Sequence, residues 1–384
     1  MEHFEDGYGI IVRDYDTLMN EIKRNEETTE WIPGVISKHI TVSAFEPIEA
    51  QELADETGIP NEILRDTAEN TKMLLEYGGK KYCLRDTTKN TMLETAKING
   101  SALNKMSPHT LSEILNKCFT VAKGDSLLLK RGGKICALLS DNIYKVMPIK
   151  ELLDVTIKTL KEKFGELSFI EGENNYEYTS ALWELPESQE KLLDAYDDVV
   201  ALHPARLYGR TFMPAVRFIT SDIGQSAATL LPLFRHKKGA YFRFNNGIKV
   251  PHKINARGES TGVEEYKEAI QEIFVKFQDM ERTLGMMAKC EIYNPLNTLV
   301  GLCKKAGISK KYAAEAYDDI KNFTADGTRS CYMDDIYLAI AGCTATAKHM
   351  GVKGYKLLEI EECVAKILCY VWAEFDVPGS VAWN

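Results

Sequence analysis

The chain has 384 residues, 45% of them hydrophobic and 27% charged, with a formal net charge of −9 and a pI near 5.5. That length supports one large domain or two. The acidic balance excludes a protein whose whole surface binds nucleic acid, while leaving room for a local basic groove. Nine scattered cysteines without a CxxC pair exclude a paired-spacing structural zinc site. They read as small hydrophobes in a reducing compartment. The N-terminus MEHFEDGYG has neither a basic start nor an apolar core, so no signal peptide is expected. No apolar run reaches the length of a membrane span, and the expected location is the cytoplasm.

Residues 8–12 read as a strand, 15–24 as a short helix, 25–30 as a polar turn and 35–42 as a β-branched strand. Apolar residues at three- and four-residue spacing predict helices over 46–57 and 61–77, punctuated by Gly58-Ile59-Pro60. Gly78-Gly79 marks a turn before a brief strand at 82–84. Ser107 and Pro108 begin a helix running to 122, the hydroxyl capping free backbone N–H groups. Gly132-Gly133 joins 126–130 to 134–139 as a hairpin, because a tight turn needs positive φ. Pro148 starts an amphipathic helix ending at Phe164.

Short strands follow at 167–170, 176–185, 207–219, 228–235, 240–244 and 248–250, interrupted by a helix over 186–200. Asn246-Gly247 is a strong hairpin cue. Beyond Gly262 the pattern is helical, over 263–287, 296–306, 309–323, 332–350 and 355–372, with loops short enough for an antiparallel cluster. Residues 376–380 read as a frayed end. The expected fold class is α+β, with a mixed N-terminal region (1–125), a β-rich antiparallel centre (126–260) and a helical C-terminal third (261–384).

The chemistry concentrates in the centre. From Arg206 to Arg257 there are ten Lys or Arg against one acid, Asp222. Side chains alternate across a strand, so Phe242 and Phe244 are assigned to the core and Tyr241 with Arg243 to the opposite, exposed face. Arg235, Lys237, Lys238, Arg243, Lys249 and Lys253 are the candidate phosphate contacts, with Tyr241 as a stacking platform. The competing reading is a basic sheet face paired with this protein's own acidic helices or with a neighbouring subunit.

Other constellations carry less. Asp197-Asp198, Asp318-Asp319 and Asp334-Asp335 read as solvated helix surface or as charge near a helix N-terminus, rather than as a two-metal site. The seven histidines have no metal-ligand spacing; His236 and His252 flank the basic stretch and would add charge at low pH. The loop Ser221-Asp222-Ile223-Gly224-Gln225-Ser226 reads as a turn or an anion-binding loop. There is no GxSxG and no phosphate loop, so no catalytic residue, metal or cofactor is assigned.

Three blocks resemble a family of phage- and plasmid-encoded proteins of unknown function. The first is CALLSDNIYKVMPIKELLD (136–154). The second is 218–247, with Ser221-Asp222-Ile223-Gly224-Gln225-Ser226 and Asn246-Gly247. The third is 330–368, with Tyr332, Tyr337 and Ala339. Where that family has Cys before Asn-Gly, this chain has Asn245. The resemblance spans about residues 100–370 and implies a mobile-element protein, with no activity to carry over. Together with the basic centre it leads to a phage-type, non-enzymatic nucleic-acid-binding protein, a single-strand binder or annealing factor working as a homo-oligomer. The alternative is an anti-defence protein that binds and inhibits a host immune complex.

Overall fold

The computed structural model describes residues 2–201, 206–207, 212–236, 239–244, 247–254, 262–379 and 383. The fold is α+β and is built on two large sheets, with a two-stranded pair (Glu291–Ile292 with Cys331–Tyr332) in the helical third. In chain order come β1 (Gly9–Val12), α1 (Tyr15–Glu27), β2 (Glu30–Ile36), β3 (Thr41–Ala44), α2 (Ala50–Thr57), α3 (Asn61–Glu69), β4 (Met73–Tyr77) and β5 (Lys80–Leu84). They are followed by α4 (Asp86–Thr95), α5 (Pro108–Phe119), β6 (Asp125–Arg131) and β7 (Lys134–Ser140). A six-stranded sheet has the order β2-β6-β7-β5-β4-β3, antiparallel except where β5 meets β7. The β6–β7 hairpin, expected to open the central region, is in fact the middle of this first sheet. Gly132 and Gly133 hold φ of 59° and 80° in its turn.

Several expected elements differ here: the polar turn expected at 25–30 is split between the end of α1 and the start of β2, and α4 has no expected counterpart. The span 35–42 is not one strand: it breaks at a 3₁₀ turn over Ser37–His39. The expected helix over 61–77 ends at Glu69, and Lys72, at φ 56°, turns the chain into β4. Met73, Leu74 and Leu75 are all buried. Met73 and Leu75 face α4 and α5, while Leu74 faces α2 and α3. A strand covered on both faces reads as a continuous apolar run, which periodicity does not separate from a helix.

The chain continues through α6 (Ile149–Phe164), β8 (Ser168–Asn175), β9 (Thr179–Glu184), α7 (Gln189–Ala201), β10 (Phe212–Thr220), β11 (Ala228–His236), β12 (Tyr241–Phe242) and β13 (Ile248–Val250). These strands make a second sheet of order β1-β8-β9-β10-β11-β12, with β13 also on β11 and every pair antiparallel. Gly247 leads into β13 at φ 64°, and a Cβ there would lie 2.4 Å from the Leu230 carbonyl oxygen, so the position requires glycine.

The helical third comprises α8 (Val263–Ala269), α9 (Ile273–Met287), α10 (Pro295–Ala306), α11 (Lys310–Phe323), α12 (Met333–Ala341), α13 (Cys343–His349) and α14 (Tyr355–Lys366). One face of the second sheet, through Val216, Phe218, Leu230, Phe234 and Phe242, shares a single core with α1, α6, α7 and this cluster. Phe244 joins the same core, as alternation predicts. The expected frayed end is tied down: Asn294 N–H donates to Asp376 at 2.6 Å, and Asn297 donates to the Val377 carbonyl at 2.7 Å. All nine cysteines are free thiols; Cys369 lies beyond the end of α14 and is exposed. No described helix is long and apolar enough to cross a membrane.

The two sheets meet at β6–β7. Leu127, Leu129 and Leu139 pack on Tyr176 and Ile223. Asp222 is buried in an ion pair with Arg131 at 2.6 Å, so Ser221–Ser226 serves as a turn that docks on the first sheet. Tyr144 donates to the Asp222 carbonyl at 2.9 Å and lies between Trp31 and His252, with ring centroids at 6.0 and 5.6 Å. The N-terminal segment is anchored at the same joint. Lys134, fully buried, contacts Asp6 at 2.8 Å and also Asp66. Arg85 donates to the Glu5 carbonyl at 2.6 Å and lies 3.3 Å above the Tyr176 ring centre.

Candidate nucleic-acid interface

The register of β9, β10 and β11 sends Glu184, Arg217 and Arg235 to the face opposite the main core. Tyr241 sits opposite Arg235 and Lys249 opposite Thr229, so they share that face. The apolar part of the face, Leu182, Ala215, Ile219, Leu231 and Leu233, is covered by Tyr355 and Leu358 of α14. Basic side chains therefore do gather on one sheet face, under an acidic helix.

Most of those charges have partners inside the molecule. Arg217 is ion-paired with Glu361 of α14; burial pulls its guanidinium down and Glu361 more than restores it. Arg235 grips Glu184 through two nitrogens, the second at 3.2 Å, and that hydrogen bonding raises its pKa. Tyr241 is half-buried and donates to the same carboxylate at 3.0 Å; burial and then Glu184 push its phenol well above its ordinary value. The expected exposed Tyr241–Arg243 surface is thus corrected. Tyr241 and Arg235 belong to a Glu184 cluster, and Arg243 is only 7% exposed.

Arg243 differs from its neighbours. Its Nε and Nη2 are buried without a hydrogen-bond partner. It lines a cleft of about 220 Å³ with Lys249, Thr229, Tyr355, Glu359 and Glu362. Lys249 is exposed at the edge of this cleft. Lys253 is also exposed, and its backbone forms a bridge to Tyr144. Lys237 and Lys238 lie outside the described residues, as do Arg210, Asn245, Asn246 and Arg257.

Two further expectations are corrected. His236 and His252 are buried, at 4% and 5% exposure, rather than available to the surface. Burial depresses His252, which shares a 2.9 Å hydrogen bond with Thr220. Asp334 and Asp335 do begin a helix, but they are buried rather than solvated. Arg206 donates to Asp334 at 2.7 Å, Tyr196 donates to it at 3.2 Å, and the Leu207 N–H donates to Asp335 at 2.9 Å. The Arg217–Glu361 pair matches the competing reading, a basic sheet face paired with this protein's own acidic helices; that reading named no acidic residue. The signal was Glu359-Ile360-Glu361-Glu362, one of several acidic runs in an acidic chain.

Among the described residues, no three His, Cys, Asp or Glu side chains converge as metal ligands. Comparison with family models, with curated proteins and with solved structures finds no match.

Proposed function

We propose that the protein is a phage-type, non-enzymatic nucleic-acid-binding protein that holds a single strand by its phosphates along the edge of the second sheet. Arg243 and Lys249 are the principal contacts, with Lys253, Lys237 and Lys238 kept as further candidate contacts from the sequence. The observation that carries this reading is the Arg243 guanidinium: nine-tenths buried, with two nitrogens lacking partners, beside an exposed lysine. A buried donor without an acceptor costs about 1–3 kcal/mol, more when charged. A phosphate oxygen would remove that penalty, and arginine matches phosphate geometry with paired donors. Arg235 and Tyr241 take no part in this reading, because Glu184 already engages both.

The test is anisotropy of a labelled single-stranded oligonucleotide at about 50 and about 200 mM salt, over which phosphate contacts lose affinity steeply. Wild type is expected to bind at the lower salt. K249E and R243A are each expected to weaken binding and to reduce the salt slope, by about 0.7 per lost phosphate contact on a single strand. Absence of binding at low salt, or an unchanged slope in both variants, would sink the reading. Lys249 is exposed, so K249E keeps the test valid even if R243A folds poorly. A host protein retained after nuclease treatment, by a chain that fails to bind the oligonucleotide, would favour the anti-defence alternative.

A further inference from the structure

A second cleft, of about 440 Å³, opens where the two sheets meet, and none of its wall belongs to the basic face. That volume lies within the range of small-molecule sites, about 300–1,000 Å³. Trp31 of β2 forms one wall, already stacked on Tyr144. Ile22, Met147 and Ile149 supply apolar surface, and the buried Arg131–Asp222 pair lies on another side.

Two asparagines single the cleft out. Asn25 of α1 and Asn174 of β8 both line it and are 6% and 2% exposed. Neither the Asn25 Oδ1 nor the Asn174 Nδ2 makes a well-formed hydrogen bond; Asn25 interacts only loosely with His3, whose ring nitrogens likewise lack a hydrogen-bond partner, and the Asn174 Oδ1 accepts from the Thr179 hydroxyl at 2.6 Å. One is an acceptor and the other a donor, on residues from different elements. Buried polar groups are nearly always satisfied, so two orphans beside one cleft mark a place where a partner belongs. The terminal torsion of asparagine is soft, so a small rotation presents the Asn25 amide to a ligand, while the Thr179 hydroxyl fixes the Asn174 amide with its Nδ2 left over.

The charges restrict the ligand. Arg131 is held by Asp222, and Lys150 at the rim is 2.7 Å from Asp154. Glu26 and Glu151 also line the cleft. Among the described residues that line the cleft, no cation is left over for a phosphate. The site suits a neutral, flat ring with a donor–acceptor edge: the ring lies against Trp31, and the edge meets the two amides. We propose that this cleft binds an uncharged nucleoside, with Trp31 as the stacking wall and Asn25 and Asn174 as the base-reading groups.

The test uses the full chain with free adenosine, guanosine, cytidine and uridine, and the corresponding monophosphates, followed by thermal shift and tryptophan emission. At least one nucleoside is expected to raise the melting temperature, because it binds only the folded state, and to quench emission. W31F is expected to lose the quench. N25A and N174A are each expected to weaken binding about tenfold to a hundredfold, the effect of one buried hydrogen bond. N25A is expected to leave the melting temperature of the free protein unchanged, whereas N174A also removes the acceptor of the buried Thr179 hydroxyl and is expected to lower it. Four results would each overturn the proposal: no nucleoside shifts the melting temperature; the quench persists in W31F; both asparagine variants bind as wild type; or a monophosphate binds as tightly as its nucleoside. Free nucleosides carry no phosphate, so failure here is separable from failure of oligonucleotide binding.

Discussion

Replacing Lys134 with methionine is expected to destabilise the protein by about 3–5 kcal/mol, the range for removing one partner from a buried charge cluster. Lys134 is wholly buried between Asp6 and Asp66. Methionine fills much the same volume, so the loss is electrostatic rather than a cavity. Among the described residues, Asp6 would keep Arg85 at 3.6 Å, and the Asp66 carboxylate would keep only the Asp6 N–H at 3.2 Å. Asp66 is therefore the group left exposed to the penalty, and adding D66N is expected to recover part of the loss. Denaturant unfolding of K134M and of K134M with D66N measures both. A single variant within about 0.5 kcal/mol of wild type, the level of ordinary surface substitutions, would show that the cluster does not hold the N-terminal segment.

The second large effect is a dependence of stability on pH. Burial, reinforced by Asp335 and opposed by Arg206, raises the Asp334 carboxyl to about 7. Its pKa in the unfolded chain is ordinary, near 3.8. Between those values the folded protein keeps a proton that the unfolded chain releases. Stability from this group therefore falls as pH rises from about 4 to about 7 and is flat beyond, with a slope of at most about 1.4 kcal/mol per pH unit for one proton. Asp335 is shifted in the same direction by its own burial. His252 acts oppositely: burial depresses it, so its contribution is lost as pH falls below the ordinary histidine value of 6.5. The difference between D334N and wild type cancels the histidine. It is expected to favour D334N increasingly up to about pH 7 and then level off. Parallel stability curves across that range would contradict the assignment.

Much of the architecture was legible because local chemistry and global fold agree. The Gly132-Gly133 hairpin, the Ser107 cap, which accepts from the Thr110 N–H, and the placing of Phe242 and Phe244 in the core all rest on short-range rules that the packing upholds. The allocation of strands to sheets was not legible. It depends on β1 joining β8 and on β6–β7 joining β2 and β5, pairings across long stretches of chain. The same limit applies at the candidate sites. A run of positive charge pointed to one sheet face, yet Glu184 and Glu361, which neutralise Arg235 and Arg217, come from elements far along the sequence. Asn25 and Asn174 carried no motif at all. What distinguishes them is a missing partner, a property that exists only in three dimensions.

The pairing of β1 with β8 bears on how the chain is made. Gly9 meets Asn175, and the whole six-stranded sheet is synthesised in between. At about 5–20 residues per second, the first strand waits on the order of ten seconds or more for its neighbour. During that interval Leu18 and Ile22, which finish almost fully buried, have no second sheet to cover them. All strands of the six-stranded sheet leave the ribosome before β8, so that sheet is an insertion within the other. The molecule is thus most open to misassembly on the ribosome, at an end that the finished fold holds tightly.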